Sequence, residues 1–140
     1  WFKVVVDPEG WQKVKTYSAT LNEQKIPEQH TYMWYRSTIR TPKKLPDGPL
    51  HLFFMEPDAN DMKVWLNGEL AADLTSGIKA RQPLDIDVTG KLKPDQDLQI
   101  TIRMWHKRIS ELALGGLLKP VMLYSGPVPE PEAAAAKKKE

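Results

Sequence analysis

The chain has 140 residues, of which 41% are hydrophobic and 27% charged, and its net charge is +2. These proportions are typical of one folded globular domain and exclude a largely disordered protein. The absence of cysteine excludes disulfides, thiolate metal sites and a cysteine nucleophile. Neither nucleic acid nor a membrane is predicted as a partner, because the charge is small and no apolar run approaches the ~20 residues of a membrane span.

Short β-type runs separated by proline and glycine turns follow one another along the chain. No segment offers the long amphipathic helix that crossovers between parallel strands require. The pattern therefore predicts an all-β fold, an antiparallel β-sandwich or jelly roll. The predicted strands are 1–6, 32–40, 50–55, 63–67, 69–73, 84–88, 98–105 and 121–124.

The Asn67-Gly68 dipeptide predicts a tight β-hairpin between the fourth and fifth of these strands. Both central residues of a type I′ turn need φ > 0, which asparagine and glycine tolerate best. Further along, residues 98–104 alternate strictly, so Leu98, Ile100 and Ile102 are expected to face a core. Arg103 and Trp105 are then expected on the opposite, polar face.

The chain divides at Gly126 into a predicted β-sandwich domain, 1–126, and a tail, 127–140, rich in Pro, Glu, Ala and Lys. Alternating Pro and Glu favour an extended spacer. The tail is interpreted either as a linker to a neighbouring domain of the same polypeptide or as a disordered end.

Seven short motifs, in this order, resemble the N-terminal sugar-binding domain of family 2 glycoside hydrolases, the β-galactosidase, β-glucuronidase and β-mannosidase group. No single motif is specific, but their order over residues 8–124 is. The motifs are PEGW (8–11), YMWYRSTIRTP (32–42), LHLFF (50–54), VWLNG (64–68), PLDIDVTGKL (83–92), LQITIR (98–103) and GGLLKPVMLY (115–124).

This resemblance implies a galactose-binding-like jelly roll. It does not imply catalysis, because the catalytic glutamates of those enzymes lie on a separate barrel domain that this chain lacks. The resemblance thus implies an accessory domain of a larger glycoside hydrolase-like protein.

The residues themselves predict no catalytic site. Asp85 and Asp87 share one face of a predicted strand, roughly 6.5 Å apart by strand rise, and paired carboxylates do hydrolyse glycosides. A solvated strand face explains them more simply. The sequence has no G-x-S-x-G motif, so a nucleophile elbow is unsupported.

No metal site is predicted, and no cofactor beyond a weak calcium possibility. His30, His51 and His106 lie far apart and lack zinc-ligand spacing. An oxygen-rich loop could hold a structural Ca²⁺, which takes six to eight oxygen ligands, although a polar turn is the simpler interpretation. The calcium candidates are Glu56, Asp58, Asn60 and Asp61.

Aromatic side chains are the better functional signal, because the apolar face of a sugar packs on a ring while polar neighbours bind its hydroxyls. Trp105 is the first candidate platform, with Arg103 and His106 as donors; Trp65, beside the hairpin, is the second. Arg36 could add a guanidinium for an acidic sugar. Burial in a core is the alternative interpretation for these two tryptophans. It is the favoured interpretation for three other aromatic residues, Trp11, Trp34 and Tyr35.

The predicted function is a non-catalytic carbohydrate-binding or accessory domain of a larger bacterial polysaccharide-processing protein, extracellular or periplasmic, with carbohydrate and a neighbouring domain as partners. The alternative is a structural or protein-interaction sandwich that has lost sugar binding, since a fold alone does not fix a function.

Overall fold

A computed structural model describes residues 10–16, 23–26, 32–76, 78, 81–105 and 116–126. All regular structure in these ranges is β-strand, and every strand pair is antiparallel. The strands are β1 (Tyr32–Arg40), β2 (Leu50–Phe54), β3 (Pro57–Asp58), β4 (Asp61–Leu66), β5 (Glu69–Leu74), β6 (Leu84–Asp87), β7 (Asp97–Trp105), β8 (Gly116–Leu117) and β9 (Val121–Ser125).

Two sheets form the sandwich, and a short pair of strands accompanies them. The larger sheet has the order β1-β7-β4-β5, the smaller one β6-β2-β9, and β3 pairs with β8. Aliphatic side chains from the facing sides of both sheets make one core, in which Leu52, Met62 and Leu98 are almost fully buried. The predicted all-β antiparallel sandwich is confirmed. Within the described part of the chain, no helix has the length and apolar character needed to cross a bilayer.

The hairpin between β4 and β5 turns at the predicted dipeptide. Asn67 has φ of 48° and Gly68 has φ of 84°, as a type I′ turn requires. The Asn67 side chain also accepts a hydrogen bond from the backbone N–H of Gln99, at 2.8 Å. The turn is thereby tied to β7, the neighbour of β4 in the sheet.

The predicted strands within the described residues are all present, with ends displaced by at most two positions. The two-residue strands β3 and β8 were not predicted, because periodicity cannot be read from two residues. The predicted strand 1–6 and the tail 127–140 lie outside the described residues.

Gly116, at the start of β8, lies against the side chain of Tyr35. Its φ is 82°, in the left-handed region that favours glycine. A Cβ at this position would overlap the Tyr35 hydroxyl oxygen, which accepts a hydrogen bond from the Leu117 N–H at 3.4 Å. Glycine therefore lets β8 approach β1 closely.

Candidate functional site: the outer face of the larger sheet

Strand register places most of the predicted ligand-binding residues on one surface, the side of the larger sheet that faces away from the core. Trp105 pairs with Tyr32 on β1 and with Asp61 on β4, and Arg103 pairs with Trp34 and Lys63. Residues directly opposite each other in an antiparallel pair project to the same side of the sheet. The predicted alternation of β7 is therefore confirmed, with Leu98, Ile100 and Ile102 in the core.

This outer face is closed at its centre by two tryptophans. Trp34 on β1 and Trp65 on β4 flank β7, and their rings stack across it with centroids 5.5 Å apart. Thr101 of β7 is only 1% exposed, and its hydroxyl has no hydrogen-bond partner among the described residues. Trp65, expected as a platform beside the hairpin, is 6% exposed. It is a packed residue, because Trp34 covers the ring that a sugar would need.

One end of the same face remains accessible and is called here the aromatic end: Tyr32, Asp61, Arg103 and Trp105. The Tyr32 ring is 44% exposed and lies 6.5 Å from that of Trp105, which is half-buried. The Arg103 guanidinium carbon stands 4.3 Å above the Tyr32 ring, and its Nη2 donates to Asp61 Oδ1 at 3.0 Å. An ion pair and a cation–π contact thus fix the arginine beside two rings.

Tyr32 was not among the predicted binding residues, although its strand parity places it on the same face as Trp34. Tyr32 lies beside Trp105 because the first residue of β1 pairs with the last residue of β7. This contact cannot be predicted from the sequence without knowing that the two strands are neighbours. His106, the predicted donor next to Trp105, lies outside the described residues.

Arg36 is on the outer face but not at the aromatic end. Its guanidinium carbon lies 4.9 Å from the ring centroid of Trp11. Trp11 and Trp34, both expected in the core, are half-buried and take part in contacts of this outer face. Tyr35 does pack against the core, as expected.

Two of the calcium candidates, Asp58 and Asp61, are paired with arginines. Asp58 lies in β3 with Oδ2 3.3 Å from Arg81 Nε, and Asp61 starts β4 paired with Arg103. Asn60 donates its backbone N–H to Trp105. The described residues include no cluster of three or more His, Asp or Glu side chains placed to hold a metal ion.

The smaller sheet has a polar cluster on its own outer face, His51, Asp85 and Tyr124. Asp85 lies between the other two: His51 Nδ1 is 2.5 Å from Oδ1, and the Tyr124 hydroxyl donates to Oδ2 at 2.5 Å. The His51 and Tyr124 rings stack at 5.1 Å. Asp85, interpreted from the sequence as solvated, is therefore a largely buried hydrogen-bond acceptor.

The two carboxylates of β6 have different environments. Asp87 is exposed, and hydrogen bonds from Thr89 hold the pKa of its carboxyl below the ordinary range. For Asp87 the interpretation as a solvated position is confirmed. Burial, together with the adjacent Asp85 carboxylate, raises the pKa of Tyr124 to about 12, so its hydroxyl stays protonated and remains a donor.

Comparison with known proteins gives a fold likeness. No family model matches the chain, and no curated protein matches it. Among solved structures, Ruminococcus gnavus β-glucuronidase is similar at 20% identity and a TM-score of 0.50, over 59% of this chain and 13% of that one. A β-glucuronidase of Faecalibacterium prausnitzii is 26% identical over 56% of this chain and 12% of its own, with a TM-score of 0.47.

These values show a shared fold with part of the R. gnavus enzyme. The chain spans between 12% and 14% of the length of the β-glucuronidases it resembles. A complete enzyme of that kind is many times larger than the segment that corresponds to this sandwich.

Proposed function

We propose that this chain is a non-catalytic, carbohydrate-binding or accessory β-sandwich domain of a larger, glycoside hydrolase-like protein. The small share of the similar β-glucuronidases that it matches supports a role as one domain among several. The order of the sequence motifs supports the same family of parent protein. An extracellular or periplasmic, bacterial setting belongs to this proposal, as does a contact with a neighbouring domain through the tail 127–140.

The aromatic end is the observation that carries the sugar-binding part of the proposal. Tyr32 is 44% exposed beside Trp105, and Arg103 lies over only one face of its ring. The axial C–H face of a sugar would pack on the opposite ring face. Arg103 is held in place by Asp61, so little side-chain freedom is lost when a sugar hydroxyl accepts a hydrogen bond from it. Shallow sites of this kind bind with a dissociation constant between about 1 µM and 1 mM.

The non-catalytic part is supported by the environments of Asp85 and Asp87, the two carboxylates that share one face of β6. Hydrolysis of a glycoside needs one carboxyl free to protonate the leaving group and a second free to attack or to activate water. Both oxygens of Asp85 are engaged by His51 and Tyr124. Asp87 accepts a hydrogen bond from the Thr89 N–H at 2.8 Å.

A glycan titration of the full chain tests the proposal, with tryptophan fluorescence and calorimetry as readouts. Trp105→Ala and Tyr32→Ala should each weaken binding at least tenfold, equivalent to about 1.4 kcal/mol. Met122→Ala, an exposed residue on the other sheet, is the control and should leave affinity unchanged. If no glycan perturbs any tryptophan, the sugar-binding part is wrong.

The second candidate function is a protein-interaction sandwich, favoured by apolar side chains exposed on both sheets. Leu70 on β5 and Met122 on β9 are among the most exposed large hydrophobic residues of the described chain. Exposed apolar side chains of this kind are common in the buried centre of protein interfaces. Under this alternative, Leu70→Glu or Met122→Glu should abolish contact with a neighbouring domain, whereas Trp105→Ala should not.

A further inference from the structure

A cavity of about 300 Å³ lies between the two sheets, where β1 and β9, the outermost described strands of their sheets, face each other. Its wall is mainly aliphatic. Side chains from both sheets, from β8 and from the segment 10–16 contribute: Val14, Thr16, Ile39, Leu52, Ile100, Ile102, Leu117, Val121 and Leu123, together with Tyr35, Arg36 and Ser37.

The sequence leaves this space open because small side chains stand where larger ones would fill it. Ser37 is the inward-facing residue between Tyr35 and Ile39 on β1. Gly116 precedes Leu117 and lets β8 come up against Tyr35 without filling the volume. The space is open to solvent along β1, where Ser37 and Ile39 are exposed, while the centre of the core is packed.

The volume is at the lower end of the range that small-molecule pockets span, about 300–1,000 Å³. An engineered apolar cavity of about 150 Å³ is sufficient to bind benzene. An occupant of suitable size would remove the aliphatic wall from water, which favours binding.

One polar group in the wall has unused hydrogen-bonding capacity. The Tyr35 hydroxyl oxygen accepts from the Leu117 N–H, but its hydrogen has no acceptor among the described residues. Burial raises the pKa of Tyr35 to about 12, so the hydroxyl stays protonated at neutral pH. A ligand oxygen placed in this space would accept a hydrogen bond from the Tyr35 hydroxyl.

We propose that this cavity is a binding site for a compact, mainly apolar molecule with one acceptor oxygen, the size of a monocyclic aromatic ketone. The aliphatic wall would surround the ring, and Tyr35 would donate to the oxygen. The proposal is independent of sugar binding at the aromatic end, which lies on the opposite side of the larger sheet.

The test uses the full chain with two probes of nearly equal shape, acetophenone and ethylbenzene, followed by methyl carbon–proton correlation spectra. Both should shift the methyl signals of Ile100, Ile102 and Leu123 and leave those of Leu92 unchanged. Acetophenone should bind with a dissociation constant of about 1 mM or below. It should bind about three- to tenfold more tightly than ethylbenzene, because only the ketone accepts the hydrogen bond.

Two variants separate the parts of the proposal. Tyr35→Phe should remove the preference for acetophenone while ethylbenzene binds as before, whereas Tyr124→Phe, the same change outside the cavity, should preserve the preference. Val121→Phe should fill the space and block both probes, with cooperative thermal unfolding as proof that it folds.

The proposal is overturned if neither probe shifts these methyl signals at millimolar concentration. It is equally overturned if nuclear Overhauser contacts connect the Ile100 and Ile102 methyls to another segment of the chain occupying the space.

Discussion

The outer faces of the two sheets bury polar groups in different ways. On the larger sheet, Thr101 is buried beside the stacked rings of Trp34 and Trp65, and its hydroxyl has no hydrogen-bond partner within the described ranges. On the smaller sheet, His51 and Tyr124 are joined through Asp85 by two short hydrogen bonds. The stability of the larger sheet's outer face thus depends on apolar contact area, and that of the smaller sheet's outer face on hydrogen bonds between polar groups. Substitutions on the two faces should therefore destabilise the sandwich for different reasons.

The largest expected effect is Trp65→Ala on the face closed by tryptophans. The change removes a buried ring and its stacking partner for Trp34, so the free energy of unfolding should fall by about 3–5 kcal/mol. Urea denaturation measures it. Leu70→Ala, its exposed neighbour across β4 and β5, is the control and should change stability by less than about 0.5 kcal/mol. Equal effects of the two would contradict the packed role of Trp65.

Asp85→Ala tests the polar cluster on the other sheet. It leaves the largely buried His51 and the Tyr124 hydroxyl without their acceptor, at a cost of about 2–3 kcal/mol. Asp87→Ala removes a carboxylate two residues away that is exposed, and should cost much less. If Asp85→Ala and Asp87→Ala lower the free energy of unfolding equally in chemical denaturation, the hydrogen bonds of Asp85 to His51 and Tyr124 add no stability.

Gly68→Val tests the turn that positions Trp65 on β4. A β-branched residue at φ of 84° is strained, and stability should fall by at least ~1 kcal/mol. Asn67→Asp keeps an oxygen to accept from the Gln99 N–H and should be mild. Thermal unfolding of the pair gives the comparison; a Gly68→Val variant as stable as the parent would show that the turn readily changes type.

The smallest effects concern one carboxylate on each outer face. A hydrogen bond from Lys63 lowers the pKa of Asp73, and hydrogen bonds from Thr89 lower the pKa of Asp87. A carboxyl whose pKa is lower in the folded than in the unfolded protein stabilises the fold at pH values above the unfolded-state pKa, about 3.9. This stabilisation is lost as pH falls through the folded-state pKa. In the Asp73→Asn and Asp87→Asn variants, the free energy of unfolding should therefore fall less steeply than in the parent as pH decreases below about 4.

Salt should distinguish these two carboxylates. Asp73 interacts with a charged amine at 2.6 Å on the surface, so 1 M salt should weaken its contribution. Asp87 is held by a neutral hydroxyl and a backbone amide, and its contribution should persist. Acid titrations of the two variants, monitored by circular dichroism at two ionic strengths, measure the contributions of Asp73 and Asp87 to stability. The same salt response for the two variants would contradict the different partners assigned to these carboxylates.

Local features were predictable from the sequence, and features that join distant strands were not. The Asn67-Gly68 turn and the alternation of β7 depend only on neighbouring residues, and both are as expected. Alternation cannot tell whether the second face of a strand is solvated or covered, and for this reason the burial of Trp65 was missed.

The cluster on the smaller sheet was missed for a topological reason. His51 and Tyr124 become neighbours only because β9 pairs with β2, although most of the chain lies between them in sequence. The Asp61–Arg103 pair likewise requires that β4 lie beside β7. The sequence indicates which face of its strand each of these four residues occupies, but it does not indicate the strand order that brings them together.

The close approach of Gly116 to Tyr35 has a consequence for the evolutionary record of this domain. Any residue other than glycine would place its Cβ on the Tyr35 hydroxyl, and would also have to adopt a positive φ. A lineage that retains tyrosine at 35 must then inherit glycine at 116. Glycine at 116 is required twice, by the Tyr35 hydroxyl and by its own positive φ, whereas residue 35 can become smaller without a change at 116. Among descendants, position 116 should therefore vary less than position 35, although 80 residues lie between them in the gene product.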